Sequence, residues 1–216
     1  MRWSGSSLAL VLGLAVPNVS LAQAPDMTKL FDFRSEVRAE ALIVNDGVMG
    51  GRSSSRFEAA REGYGVFSGT VSLENNGGFA SFRLPLGPTV MMGATKVVLR
   101  VRGDGQRYQV RLRSGRRWDG VAFAAGFDTT AGRWSTVELP LSDFEPSFRG
   151  YRPRGVGPVD PAEVGQVGIM ITDKQAGPFR LEIEWIGVDR GGEPGRTGRR
   201  QHAVKADIRI MALWPQ

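Results

Sequence analysis

Polar and apolar residues alternate with a period of two along most of this chain. Residues 96–102 place Val97, Leu99 and Val101 on one face and Val98, Arg100 and Arg102 on the other. Residues 108–113 repeat the pattern, and the intervening Gly103-Asp104-Gly105 reads as a hairpin turn. Near the end of the patterned region Leu181, Ile183 and Trp185 alternate with Glu182 and Glu184. Further strands are expected at 29–33, 64–73, 79–84, 121–127, 134–139 and 164–172, several of them ending at a proline. A single helical turn is expected at 141–144. No long segment carries a 3.6-residue period, and glycine and proline are frequent, so the pattern predicts an all-β sandwich in one domain over residues 26–189.

Two stretches are denser in glycine than strand connections need. Asn45-Asp46-Gly47-Val48-Met49-Gly50-Gly51-Arg52-Ser53 is one, and Glu74-Asn75-Asn76-Gly77-Gly78-Phe79 is the other. Glycine serves where φ must be positive or where another group comes close. Asn and Asp tolerate the left-handed region and bond to nearby backbone. Two such knots flanking one strand predict a pair of shaped loops on one rim, either a binding edge or two structural turns.

Composition narrows the chemistry. The 216 residues contain no cysteine, so disulfides, thiolate metal sites and cysteine nucleophiles are excluded. His202 is the only histidine, which leaves too few for a histidine-based zinc site. The formal charge of +6 is concentrated at the end, where Arg190, Arg196, Arg199, Arg200, Lys205 and Arg209 face only Glu193 and Asp207. The body is nearly neutral, which argues against a nucleic-acid groove. Residues 190–216 read as a mobile basic tail, suited to peripheral contact with a membrane. At the other end, Arg2, the apolar run 8–16 and Ser20-Leu21-Ala22 read as a secretory signal over 1–22, cut before Gln23. The expected location is therefore a bacterial periplasm or the outside of the cell.

The first knot, and the stretch from Phe67-Ser68-Gly69-Thr70 through Gly78-Phe79-Ala80-Ser81-Phe82-Arg83, resemble the complex I intermediate-associated protein family. So do residues 134–144 and Asp173-Lys174-Gln175-Ala176-Gly177-Pro178-Phe179 leading into 181–186. The resemblance covers roughly residues 28–188, in order. It implies a galactose-binding-like β-sandwich, a jelly roll. It also implies a non-catalytic assembly factor or chaperone for NADH:ubiquinone oxidoreductase, with protein partners such as respiratory complex subunits and no cofactor. The alternative reading is a periplasmic carbohydrate-binding module.

Candidate site residues follow from both lines. Asp46 and Arg83 are expected to form a polar anchor, as a ligand contact or as a buried pair fixing the loop. Met49, Gly50 and Gly51 shape the first knot. Asn75 and Asn76 offer amides to sugar hydroxyls or to a partner's backbone, or else cap an Asx turn. Trp118 beside Asp119 has the makings of a sugar-stacking group, whereas Trp134 and Trp185 read as core. Arg149, within Phe148-Arg149-Gly150-Tyr151-Arg152, suits protein contact, and Asp173 marks a third polar loop. Arg100, Arg102, Arg111 and Arg113 read as one polar face of two adjacent strands, either a face for an anionic ligand or a solvated surface balanced by Glu182 and Glu184. A hydrolase would need two carboxylates brought together. Asp46, Asp119 and Asp173 are the candidates for that pair; the Asp and Asn loops also offer oxygen ligands for a structural calcium ion, without an EF-hand spacing.

Overall fold

The computed structural model describes residues 26–35, 40–115 and 119–191. The described chain forms twelve strands: β1 (Met27–Asp32), β2 (Leu42–Ile43), β3 (Ser54–Ala59), β4 (Gly65–Val71), β5 (Ala80–Pro85), β6 (Lys96–Arg102), β7 (Arg107–Ser114), β8 (Ala122–Asp128), β9 (Trp134–Pro140), β10 (Glu145–Ser147), β11 (Val164–Ile171) and β12 (Gly177–Asp189). Short 3₁₀ turns occupy Asp46–Met49, Glu74–Asn76 and Leu141–Asp143. The expected turn at 141–144 is the last of these. Strands β2, β3 and β10 carry no clear alternation and escape a reading by pattern.

Two six-stranded sheets, antiparallel throughout, face each other. One runs β3-β4-β12-β6-β9 with β1 beside the second half of β12, and the other runs β10-β8-β7-β11-β5-β2. This is the galactose-binding-like β-sandwich. The alternation decides which residues meet between the sheets. Phe67 of β4 and Phe179 of β12 lie 4.8 Å apart, centroid to centroid, and Phe82 of β5 reaches across to within 4.9 Å of Phe67. Tyr108 of β7 completes the group at 6.5 Å from Phe179. All four are buried.

The expected hairpin between β6 and β7 does not form. Strand β6 pairs with β12 and β9, whereas β7 pairs with β8 and β11 in the opposite sheet. Each strand has one apolar face, and placing them in different sheets lets Val97, Leu99 and Val101 meet the same core as Val110 and Leu112. Asp104 secures the crossover by accepting hydrogen bonds from the Tyr108 hydroxyl at 3.0 Å and from the Arg180 N–H at 2.6 Å. The arginines expected on one face are thus divided. Arg102 pairs with Glu182 on the outside of the first sheet, and Arg111 and Arg113 belong to the second.

Trp134 and Trp185 are not core residues either. Both are half-buried, with Arg102 lying 5.1 Å over the Trp134 ring and Lys29 5.7 Å over Trp185. Arg190, counted with the tail by charge, is tied to the sandwich. Its guanidinium donates to Thr28 Oγ1 at 2.6 Å and to the carbonyls of Val90 and Met92 at 2.8 and 3.0 Å. Residues 1–22, taken as a signal, and nearly all of the basic tail lie outside the described residues.

Candidate functional site

The two glycine knots form one unit, and Asp46 is its centre. The side chain is fully buried. Its Oδ1 accepts from the Ser53 N–H at 2.8 Å, and its Oδ2 accepts from the Ser53 hydroxyl and from the Gly78 and Phe79 N–H groups at 2.7 and 3.3 Å. One carboxylate therefore replaces strand pairing for donors from both loops. Burial by itself would raise the Asp46 carboxyl, but these hydrogen bonds outweigh burial and hold it below the usual carboxylate range. The glycines follow from the same packing. A Cβ on Gly51 would run into the Asp46 carboxylate, and one on Gly77 would stand 2.6 Å from its Oδ2. Asn75 adds a second link, donating from Nδ2 to the Gly50 carbonyl at 3.1 Å. Both Asn75 and Asn76 are exposed and left-handed, with φ of 55° and 58°.

Three apolar side chains of this unit are exposed. Val48 is 66% exposed and Met49 57%, and Leu73 stands exposed at the start of the second knot. The same two loops also expose polar groups: Arg52 pairs with Glu74 at 3.0 Å, and Asn75 and Asn76 are exposed. Ser53, which gives two donors to Asp46, and Val48 and Leu73 were not singled out by sequence. Val48 and Ser53 lie within the first knot, which is their only signal, whereas Leu73 falls at the end of the strand expected at 64–73.

The remaining candidates lie elsewhere. The Asp46–Arg83 pair does not form, because Asp46 is occupied by backbone and Ser53 donors. Arg83 projects instead from the outer face of β5, where it joins Arg111 and Arg113 of β7. Burial, and then mutual repulsion, push Arg83 and Arg111 down to about 10, and burial also lowers Arg113. Beside this cluster an open trough of about 330 Å³ runs over Ala124 and Gly126, bordered by Gln109, Glu145, Tyr151 and Asp173. Asp173 is exposed at φ 63°, and Arg149 at φ 47° stacks over Phe148 at 5.3 Å. Asp119 is exposed, and Trp118 lies outside the described residues. Asp46 is sealed inside the knots and Asp173 stands on the trough, so these two candidate carboxylates do not meet. Among the described residues, no group of three or more acidic or histidine side chains is placed to hold a metal ion.

Comparison with known proteins adds relatives to this geometry. The mitochondrial complex I intermediate-associated protein 30 of Mus musculus is 37% identical over 95 residues, which cover 42% of this chain and 29% of the mouse protein. The Drosophila melanogaster protein of the same name is 24% identical over 183 residues, covering 74% of this chain and 62% of the fly protein. The chain thus spans less than two thirds of these relatives. In fold it is similar to the family 11 carbohydrate-binding module from Clostridium thermocellum, solved in complex with a β-1,3-1,4-mixed-linked tetrasaccharide. That likeness has a TM-score of 0.56 at 17% identity and covers 77% of this chain and 96% of the module.

The expected periplasmic or secreted location is overturned, since these sequence relatives are mitochondrial proteins. The reason for the misreading is compositional. A stretch with a basic start, several serines and no acidic residue before Asp26 shares its serines and its lack of acidic residues with organelle transit peptides, although it holds a single arginine. The description Complex I intermediate-associated protein 30 fits residues 31–183, more than half of the 216-residue chain, and the chain belongs to that family.

Proposed function

We propose that the protein is a non-catalytic assembly factor, a chaperone that engages an intermediate of respiratory complex I (NADH:ubiquinone oxidoreductase) by protein–protein contact through the knot rim. The observation that carries this reading is the exposure of three apolar side chains, Val48, Met49 and Leu73, on a loop pair locked by a buried carboxylate. An apolar centre with a polar border is the anatomy of a protein interface. Rigid backing also matters, because a contact surface that is already ordered loses little entropy on binding. Met suits such a surface, since its unbranched side chain adapts to an irregular partner.

Val48→Asp and Met49→Asp test the proposal. Both side chains are exposed, so each change should move stability by no more than about 0.5 kcal/mol. Capture of complex I subunits by the full chain, read by affinity purification and mass spectrometry from its own host, should fall at least tenfold. Undiminished capture with either variant removes the knot rim as the contact surface. The second reading, a carbohydrate-binding module, is favoured by the trough, where the exposed Tyr151 ring stands beside Glu145 and Gln109. Retention on mixed-linkage glucan in affinity electrophoresis, lost in Tyr151→Ala, would support it.

A further inference from the structure

An edge strand presents a row of unpaired N–H and C=O groups, and natural sheets disarm most of their edges. Four edge strands of this sandwich are disarmed. β1 is broken by a register shift between Lys29 and Phe31. β2 and β10 run for only two and three residues, and β10 contains Pro146. β3 carries the exposed charges of Arg56 and Glu58, and its Ser55 hydroxyl is tied to Asn45 Oδ1 at 2.7 Å. β9 has none of these devices. Its seven residues, Trp134–Pro140, pair with β6 in unbroken register. Among the described residues, no backbone hydrogen bond is made on its other side. Val137 faces the core opposite Leu99, yet it is half-buried where Leu99 is fully buried, so the space between the sheets is open along this strand.

We propose that β9 pairs antiparallel with β9 of a second copy across a two-fold axis, so that the first sheets of two molecules become one continuous sheet. The strand is self-complementary about Val137. In that register Val137 meets its own copy and Ser135 faces Leu139, all on the core side of the sheet. On the outer side Thr136 faces Glu138 and Trp134 faces Pro140. Apolar and hydrogen-bonding neighbours of this kind stabilise a strand pair, whereas like charges directly opposite destabilise it. An axis at Glu138 would set two carboxylates against each other. An axis at Thr136 would set Trp134 against Glu138 and leave Leu139 beyond the paired residues.

Pairing completes the hydrogen-bond ladder of β9 and covers Val137. Glu138 keeps the ion pair within its own molecule, with Lys96 at 2.8 Å, so the outer side of the joint carries no excess charge. A single strand of seven residues is a small interface, which places the dimer among the weak, transient associations. The knots adjoin β3 and β4, at the opposite end of the sheet from β9. This surface is therefore separate from the knot rim, and its failure leaves the protein-contact reading untouched.

The test is sedimentation equilibrium of the full chain, which should show monomer and dimer in exchange. The Thr136 hydroxyl accepts from Arg100 at 3.3 Å, so Thr136→Glu finds a cation within its own molecule and keeps the fold. Across the axis the new carboxylate faces Glu138, and symmetry makes that contact twice, so the dimer Kd should rise about tenfold. Thr136→Lys faces the same carboxylates and should lower Kd. Opposite signs for the two variants belong to the Val137 register alone, and thermal melts of each dilute variant check that the fold is intact. Hydrogen exchange read by mass spectrometry should slow over residues 134–140 as the concentration of the unmodified chain rises through Kd. A chain that stays monomeric up to about 1 mM, or a Kd that moves the same way in both variants, overturns the proposal. Slowing of β9 exchange only when complex I subunits are added identifies an extended segment of a partner as the occupant, and overturns it too.

Discussion

Replacing Asp46 with alanine is the most informative single perturbation of the knots. The carboxylate accepts four hydrogen bonds, three of them from backbone N–H groups. Alanine leaves all three without an acceptor. Ser53 is buried, so its orphaned N–H costs about 1–3 kcal/mol. Gly78 and Phe79 are half-buried and partly rescued by water, at about 1 kcal/mol each. The expected loss is about 3–5 kcal/mol, or on the order of 10 °C in Tm for a domain of this size. Asp46→Asn separates charge from shape. An amide keeps one acceptor but turns its NH₂ toward a backbone donor, so a loss of about 2–3 kcal/mol is expected. The assay is urea unfolding of the parent and both variants at pH 7 and again near pH 3. The Asp46 carboxyl is held below its usual range in the folded protein. Its contribution is therefore complete above the unfolded-state value near 4 and disappears as the pH falls through the lower folded-state value. The gap between parent and Asp46→Asn should narrow on acidification. A loss under about 1 kcal/mol for Asp46→Ala, or a gap independent of pH, would refute the view that this carboxylate holds the knots together.

Two further predictions concern the scaffold. Glu182 is buried on the outside of the first sheet and accepts from Arg102 and from Arg180 at 2.9 Å. Burial opposes its ionisation, but those two guanidiniums prevail and lower its carboxyl. Its share of stability should accordingly fade as the pH drops below about 4, and Glu182→Gln, costing about 1–2 kcal/mol at pH 7, should flatten that part of the pH profile. Phe82→Ala removes the ring that joins both sheets and should cost about 3–5 kcal/mol in urea unfolding. A loss below 2 kcal/mol would mean that the core closes around the gap.

The period-two pattern by itself determined the sandwich class and nine of its twelve strands, because burial of one face leaves alternation in any half-buried strand. It also marked the two knots, since only loops of unusual backbone shape need so many glycines. Short edge strands such as β2 and β10 escaped because two or three residues cannot display a period. The pairing of strands was decided in three dimensions. Nothing local distinguishes a hairpin at Gly103-Asp104-Gly105 from a crossover, since both satisfy the same alternation. The choice is made by the shared core and by Asp104, whose partners Tyr108 and Arg180 come from β7 and β12. That one decision separated Arg100 and Arg102 from Arg111 and Arg113 and brought Arg83 to the latter, 28 residues away from Arg111 in sequence but in the same row across Gly168. Asp46 shows the same division. Its side chain was legible as a knot residue, whereas its burial, and with it the choice between ligand contact and internal clamp, depended on Ser53, Gly78 and Phe79 folding around it.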